Sequence, residues 1–549
     1  MFTKRFALSL GMLFVLLVTY ACGGAAAPTT APQREESAAP IEPAGPLEQA
    51  MPEAPARAYP TAPLGEPMTS DSYAPEGAPS HSKGGGPDDM FFQDYGVNPS
   101  VAAEDDHLST FALDVDTGSY TIMRNYLSEG VLPPQDSVRV EEYVNYFKQG
   151  YPLPPAHQAF GITIDGAPLP FNKFKAAPFN ESEHYSMLRV GIQGYEVPDS
   201  ERKDVSLTFV IDVSGSMDMD NRLGLVKRSL ELLVERLHRD DKVGIVVYGT
   251  EARVVLEPTS GSDKGRILRA IHSLQPEGVT NAEAGLRLGY KLAMHAYNPR
   301  GVNRIILCSD GVANTGETEW DAILYEVRGY VEEGVMLTSI GFGMDNYNDV
   351  LMEQLADNGN GIYAYVDNMD EAERLFVDNL TGTLQTIALD AKVQVDFNPK
   401  VVSRYRLVGY ENRDVADEDF RDNTVDAGEV GAGHTVTALY ELKLFPQAFG
   451  QVASVYLRWE DPDTREVVEM SKDFDTYQMS ESFRRADPYF QWSVLVAEYA
   501  EILRDSYWAE DSSLDVVYKE AQRVSEYLPR DEAVSEFMDL VRKARRLMD

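Results

Sequence analysis

Cysteine and histidine are scarce in this sequence. Two cysteines, Cys22 and Cys308, occur among 549 residues, which excludes a disulfide-stabilised scaffold and any cysteine-rich metal module. The eight histidines are spread so widely that no pair has the spacing of a zinc-protease motif. Oxygen-bearing side chains are therefore the remaining candidates for metal binding or catalysis.

Basic residues are also few. The chain has 49 Lys and Arg against 88 Asp and Glu, a formal net charge of −39. A nucleic-acid-binding surface needs clustered basic residues to neutralise phosphates, so this balance argues against nucleic acid and against docking on an anionic lipid surface. Hydrophobic residues make up 43% of the sequence, which is enough for packed cores, and the length suggests roughly three to four domains.

The first 21 residues have the pattern of a secretory signal peptide. Lys4 and Arg5 precede an apolar run of residues 6–20, which is shorter than the ~20 apolar residues that a membrane-spanning helix needs. Cys22 follows this run directly. We therefore expect an exported protein.

Cys22 resembles the acylated cysteine of a bacterial lipobox, which implies cleavage before it and a membrane anchor on it. Thr19 stands where that pattern prefers Leu, so the alternative is an ordinary signal peptide followed by an unmodified cysteine. Gly23 stands where inner-membrane lipoproteins of enterobacteria carry Asp, which favours the outer membrane or its periplasmic face. Residues 22–93 are rich in Pro, Ala, Glu, Ser and Gly without an apolar period, and this composition predicts a disordered tether.

Residues 202–387 alternate between apolar strand patterns and amphipathic helices. The predicted strands are 207–212, 242–249, 252–258, 304–310, 335–343 and one starting at residue 361. This alternation is typical of a doubly wound α/β domain, with a mostly parallel, six-stranded sheet covered by helices on both faces. The last helix of the domain is predicted at 369–384. In such sheets, ligands bind beyond the carboxyl ends of the strands.

Polar residues lie at three of these positions. Asp212, Ser214 and Ser216 end the first strand, Thr280 precedes a helix, and Asp310 ends the fourth strand. Because carboxyl ends of parallel strands meet at one edge, we expect two carboxylates and three hydroxyls to come together there. Such an all-oxygen set suits Mg²⁺ or Mn²⁺ and disfavours zinc and copper.

D-x-S-x-S at 212–216, Thr280 and S-D-G at 309–311 resemble the metal-ion-dependent adhesion site (MIDAS) of von Willebrand factor type A (VWA) domains. The resemblance implies that the hydroxyls of Ser214, Ser216 and Thr280 bind the metal directly, while the two aspartates often act through water. It also implies a protein partner that presents an Asp or Glu carboxylate to the metal. The alternative is a set of unrelated polar turns and helix caps.

Residues 109–147 and 405–442 resemble the flanking segments of the YfbK-type family of bacterial VWA lipoproteins. We place an N-terminal flanking domain at 94–201, the VWA domain at 202–387, a β-rich domain at 388–480 and C-terminal helices at 481–549. Strand patterns on both sides of the VWA domain predict that the two flanks form one α+β, β-rich body. The acidic run at 414–426 is typical of a solvated loop, and a second cation site there is the alternative.

These features predict an exported, lipid-anchored cell-envelope protein that binds a protein partner through a divalent metal. We do not expect an enzyme, because no general base or nucleophile set accompanies the five oxygen-bearing residues. Two alternatives stay open: a metal-dependent hydrolase, and a structural or assembly factor whose metal site has lost its function. The negative charge of the chain favours a neutral or basic partner with one exposed acidic residue.

Overall fold

The computed structural model describes residues 90–155, 157–171, 185–219, 221–311, 317–344 and 347–548. The predicted signal peptide, the lipidation of Cys22 and nearly all of the predicted tether lie outside these residues. Within the described ranges, no helix combines the length and the apolar character that crossing a bilayer requires.

The described elements fall into three stretches of the chain. Those before the predicted VWA domain are β1 Val101–Ala102, β2 Leu108–Ala112, α1 Gly118–Ser128, α2 Val140–Asn145, β3 Phe160–Pro168 and β4 Tyr185–Gly194. Those within it are β5 Val205–Asp212, α3 Leu223–Arg236, β6 Lys242–Tyr248, β7 Ala252–Ser260, α4 Lys264–His272, α5 Ala282–His295, β8 Val302–Ser309, α6 Glu317–Glu332, β9 Met336–Phe342, α7 Asp349–Asp357, β10 Tyr363–Val366, α8 Met369–Glu373 and α9 Leu380–Leu384. Those after it are β11 Thr386–Phe397, β12 Val402–Val408, β13 Gly428–Gly431, β14 Thr435–Leu444, β15 Gln451–Glu460, β16 Val467–Asp475, α10 Pro488–Leu503, α11 Leu514–Ser525 and α12 Glu532–Met548.

The VWA domain has a six-stranded sheet in the order β10-β9-β8-β5-β6-β7. All neighbouring strands are parallel except β6 and β7. The predicted doubly wound, mostly parallel sheet is therefore confirmed. Because β5 and β8 are parallel neighbours, the strand ends at Asp212 and Ser309 lie at the same edge of the sheet.

Strand β5 is buried along its whole length because helices cover both faces of the sheet. Phe209 packs in one apolar cluster with Leu230 of α3, whereas Val210 packs in another with Leu286 of α5. This alternation explains why the strand reads as a continuous apolar run rather than as alternating polar and apolar residues.

The flanks combine into a body of two packed antiparallel sheets. One sheet has the order β1-β12-β14-β4-β3, and the other has the order β13-β11-β15-β16 with β2 also paired to β11. Both sheets contribute to one apolar core that includes Val190, Tyr440, Val393 and Val455. Since β1 to β4 precede the VWA domain and β11 to β16 follow it, the predicted β-rich body from both flanks is confirmed. The domain boundaries themselves stay predictions.

The C-terminal helices form a second core beside the sheets. Trp492 of α10 and Phe537 of α12 contact each other with ring centroids 5.1 Å apart, and Phe147, just after α2, lies 5.7 Å from Trp492. The predicted C-terminal helices are confirmed, and there are three, α10, α11 and α12, among the described residues. They pack on helices of the N-terminal flank, so the two ends of the described chain share one core.

The predicted helix at 369–384 is wrong as a single helix. The structure divides it into α8, a π-helical turn at Arg374–Asp378, and α9. The turn closes where the backbone N–H of Asn379 donates to the carbonyl oxygen of Arg374, five residues earlier. The apolar periodicity of the segment continues through this turn, and for that reason the pattern predicts one helix.

Candidate metal centre

Strand β5 delivers Asp212 to the carboxyl edge of the VWA sheet. Asp212 is fully buried, and its Oδ1 accepts a hydrogen bond of 2.8 Å from the backbone N–H of Ser214. This contact turns the chain immediately after the strand into a short 3₁₀ turn at Gly215–Met217. The turn presents Ser214 and Ser216 next to the buried carboxylate.

Four of the five predicted site residues belong to one hydrogen-bonded cluster. The hydroxyls of Ser214 and Ser216 lie 2.9 Å apart, and Ser216 donates to Oδ1 of Asp310 at 3.1 Å. The hydroxyl of Ser309, at the end of β8, donates to Oδ2 of Asp212 at 3.1 Å. The ends of β5 and β8 are therefore joined through side-chain oxygens.

Thr280 lies beside this cluster without joining it. The backbone N–H of Gly215 donates to the carbonyl oxygen of Gly278 at 3.1 Å, which holds the loop before α5 against the turn after β5. Gly278 has a φ of +74°, a conformation that favours glycine. Thr280 follows two residues later and is half-buried, and its hydroxyl has no hydrogen bond to any described residue. The structure thus brings together Asp212, Ser214, Ser216 and Asp310, with the loop of Thr280 adjacent.

Arg222 is a site residue that the sequence analysis missed. Its guanidinium donates to Oδ2 of Asp310 at 2.8 Å and to the carbonyl oxygen of Ser216 at 2.7 Å. Both Arg222 and Asp310 are buried, with side chains 3% exposed. Arg222 precedes α3 directly, so the turn after β5 folds back and places a positive charge behind the acidic pair. Its only signal in the sequence is an arginine shortly after the D-x-S-x-S motif.

The two carboxyl groups of the cluster have raised pKa values. Burial raises the pKa of Asp212 to about 7, and the nearby Asp310 carboxylate adds to the rise. Burial also raises the pKa of Asp310, while its contacts with Ser216 and Arg222 act in the opposite direction. Two neighbouring carboxyl groups that are shielded from water favour binding either a proton or a cation.

The cluster fits a hard divalent cation. Its donors are carboxylate and hydroxyl oxygens, the ligand types that Mg²⁺ and Mn²⁺ prefer. Asp212, Ser214 and Asp310 form a buried floor, whereas Ser216 is exposed and Thr280 is half-buried. The site is therefore closed on the protein side and open to solvent on the other.

Cys308 lies in β8, two residues before Asp310, and is fully buried. Burial raises the pKa of its thiol, so the thiol stays protonated and unreactive. Cys308 is therefore a small core residue of the sheet.

Comparison with known proteins assigns the whole described architecture to a family. A family model for the von Willebrand factor type A domain matches residues 207–312, and one for von Willebrand factor matches residues 87–176. A model for the C-terminal part of uncharacterized protein YfbK matches residues 382–451 and 445–547. Uncharacterized protein YfbK of Escherichia coli (strain K12) is 34% identical over 478 residues, which cover 83% of this chain and 81% of that protein. The chain belongs to the YfbK family.

Other similar proteins share only part of this YfbK-family chain. Uncharacterized protein sll0103 of Synechocystis sp. (strain ATCC 27184 / PCC 6803 / Kazusa) is 31% identical over 191 residues, 34% of this chain and 44% of its own. Inter-alpha-trypsin inhibitor heavy chain H2 of Mus musculus is 31% identical over 194 residues, 33% of this chain and 20% of its own. Among solved structures, a von Willebrand factor type A protein from Catenulispora acidiphila aligns at 16% identity with a TM-score of 0.40, covering 69% of this chain and 89% of that one.

Proposed function

We propose that this protein is an exported, lipid-anchored component of the cell envelope that binds a protein partner through a divalent metal in its VWA domain. The observation that carries the proposal is the cluster of Asp212, Ser214, Ser216 and Asp310 at the solvent-facing edge of the sheet. Its donor set suits Mg²⁺ or Mn²⁺, with Thr280 as a further hydroxyl from the adjacent loop.

The balance of charge in the cluster explains how a partner carboxylate would be recognised. Two aspartates neutralise a divalent ion, and the remaining protein ligands are uncharged hydroxyls. Arg222 already occupies Oδ2 of Asp310, so the acidic pair donates less negative charge to the ion than two free carboxylates would. A metal with this environment retains affinity for an incoming Asp or Glu side chain.

Two exposed apolar side chains flank the cluster and add a contact surface. Met219 follows the turn after β5 and is 50% exposed, and Val279 precedes Thr280 and is 68% exposed. Apolar contacts around a central polar anchor are typical of protein interfaces. The net charge of −39 would repel a strongly acidic partner at long range, so a neutral or basic partner with one exposed carboxylate fits best.

A binding role is favoured over catalysis by the arrangement of the hydroxyls. The hydroxyls of Ser214 and Ser216 are hydrogen-bonded to each other, and that of Ser216 also donates to Asp310. No histidine contacts the cluster among the described residues, so neither serine has the base that a nucleophile needs.

Partner capture in the native envelope tests the proposal. Proximity labelling with the full-length protein should enrich a partner in the presence of Mg²⁺, and EDTA or Asp310→Ala should abolish that enrichment. Asp218→Ala is the matched control, because it removes an exposed carboxylate from the turn after β5 that lies outside the cluster. Enrichment that persists in EDTA and in the Asp310→Ala variant would contradict a metal-mediated contact.

Membrane fractionation tests the anchor separately. Cys22→Ala should move the protein from the membrane fraction to the soluble fraction, because the protein would then have no acylated cysteine to anchor it. An unchanged membrane fraction would argue for attachment by another route.

A further inference from the structure

A second group of acidic residues lies in the β-rich body. Asp390 of β11, Asp426 and Glu429 of β13 each place one carboxylate oxygen within 4.8 Å of the others. The pairing of β11 with β13 is irregular between Ala388 and Ala391, and this bulge faces the position of Glu429. The cluster is thus formed by an irregularity in the sheet, which re-aims the Asp390 side chain.

Basic residues do not neutralise this cluster by direct contact. Among the described residues, none of the three acids belongs to an ion pair. The basic side chains whose charges act most strongly on them are held by other groups. Arg413 donates hydrogen bonds to Asp357 at 2.8 Å and to Glu353 at 3.0 Å. Arg304 donates to Thr338 at 2.7 Å, and Lys392 donates to the carbonyl oxygen of Asp422 at 2.9 Å. Arg328 donates to the side chain of Asn358.

Glu429 provides a second, independent observation. Its side chain is buried, with the residue 7% exposed, and its Oε1 has no hydrogen-bond partner in the described part of the chain. A buried carboxylate oxygen without a partner is costly, because it has lost its water and gained nothing in exchange. A cation between the three carboxylates would supply the missing partner.

The cluster is open on one side. Asp426 is exposed and Asp390 is half-buried, so an ion can enter from solvent and reach Glu429 at the base. The backbone N–H of Ala427 donates to Oδ1 of Asp390 at 3.3 Å, which holds the segment of Asp426 beside β11. The position of Asp426 is therefore restrained before any ion arrives.

We propose that Asp390, Asp426 and Glu429 form a second divalent-cation site, which shares no residue with the metal centre of the VWA domain. Three carboxylates from a bulged sheet suit Ca²⁺, which takes six to eight oxygen ligands in flexible geometry, better than Mg²⁺, which requires an octahedral arrangement and keeps several waters. We expect weak binding, with a Kd on the order of 10⁻⁴–10⁻³ M, the range of extracellular Ca²⁺-binding modules.

The place of the site in the fold indicates what the cation does. Strand β13 packs tightly on α9, the last helix of the VWA domain. A Cβ at Gly431 would lie 2.0 Å from the carbonyl oxygen of Gly382. A cation that ties β13 to β11 therefore braces the surface on which this helix rests.

Calcium titration of the full-length protein by calorimetry tests the proposal. The measurement uses an Asp310→Asn background to silence the VWA metal centre. We expect this variant to bind one Ca²⁺, Asp310→Asn with Glu429→Gln to bind none, and Asp310→Asn with Glu418→Gln to bind one. Glu418 is the matched control, because it is an exposed glutamate in the acidic run at 414–426 and lies outside the cluster.

Two results would overturn the proposal of a second cation site. One is the absence of saturable Ca²⁺ binding in the Asp310→Asn variant, which is the outcome if Asp390 and Asp426 share a proton instead of a cation. The other is Ca²⁺ binding that survives Glu429→Gln. Asp426→Asn, at an exposed position, repeats the test should Glu429→Gln fail to fold. Neither result bears on partner capture, so this site and the proposed function fail independently.

Discussion

Replacing Arg222 by Met removes the positive charge behind the acidic pair of the metal centre and keeps most of the apolar stem. Arg222 and Asp310 are both 3% exposed and lie 2.8 Å apart. Removing one partner of a buried ion pair costs about 3–5 kcal/mol, because the other charge stays buried and unpaired. We expect a loss of this size in the free energy of unfolding when the metal is withheld by EDTA.

Mg²⁺ should recover part of this loss. A divalent cation at the cluster supplies positive charge to Asp310 in place of the guanidinium, so the variant gains more from the metal than the wild type does. At saturating Mg²⁺ the extra stabilisation of the variant is set by the ratio of the two Kd values. If the variant binds Mg²⁺ about fivefold more tightly, its difference from the wild type shrinks by about 1 kcal/mol.

Urea unfolding followed by circular dichroism, in EDTA and in Mg²⁺, measures both quantities. Arg287→Met is the control, because Arg287 is 50% exposed and pairs with Glu283 and Glu326 on the surface. That change should leave the free energy of unfolding nearly unchanged in either buffer, because exposed ion pairs contribute little to stability. A loss for Arg222→Met that is equal in EDTA and Mg²⁺ would refute the reasoning, because the cation would then not act on Asp310.

Two further predictions concern the stability of the fold. Burial lowers the pKa of His434 to about 4, below its ordinary value of 6.5, so protonation favours the unfolded chain and stability is lost as the pH falls below 6.5. His434→Gln should remove about 2 kcal/mol of the acid-induced loss at pH 5, measured by urea unfolding at pH 7.5 and 5, and an unchanged pH slope would contradict this. Gly289→Ala should destabilise by about 1–3 kcal/mol despite its better helix propensity, because the new Cβ would lie 2.3 Å from Cγ2 of Val210. Gly329→Ala, whose Cβ would meet nothing within 4 Å, should instead stabilise by about 0.5–1 kcal/mol, and equal effects of the two changes in thermal unfolding would contradict the packing argument.

Much of the VWA fold could be predicted because its periodicity is local. Buried strands such as β5 are short apolar runs, and helices such as α3 carry apolar residues at helical spacing, so both signals lie within a few turns of chain. The strand-end position of the D-x-S-x-S motif followed from the same pattern.

Other strands carry no such signal. Strand β16 lies at a sheet edge and is mostly exposed, so its sequence VVEMSKDFD lacks a clear alternation. Strand β13 is four residues long and contains two glycines, which strand propensity disfavours. Strand β2 is hydrogen-bonded to β11, which lies almost 300 residues later in the chain. Strands β2 and β13 depend on a partner, β11, that is distant in sequence, whereas β16 pairs with the preceding strand β15.

The sequence by itself determined the alternation of strands and helices and the types of oxygen ligand near the strand ends, because local periodicity and side-chain chemistry need no distant partner. Only the tertiary structure decided that Arg222 lies against Asp310, and that the bulge in β11 brings Asp390 to Glu429. These contacts join groups separated by 39 to 88 positions, and their geometry arises from packing of whole elements rather than from local propensity. The tertiary structure therefore adds what the motif lacks: the charge that balances the metal centre, and a second place where a cation can bind.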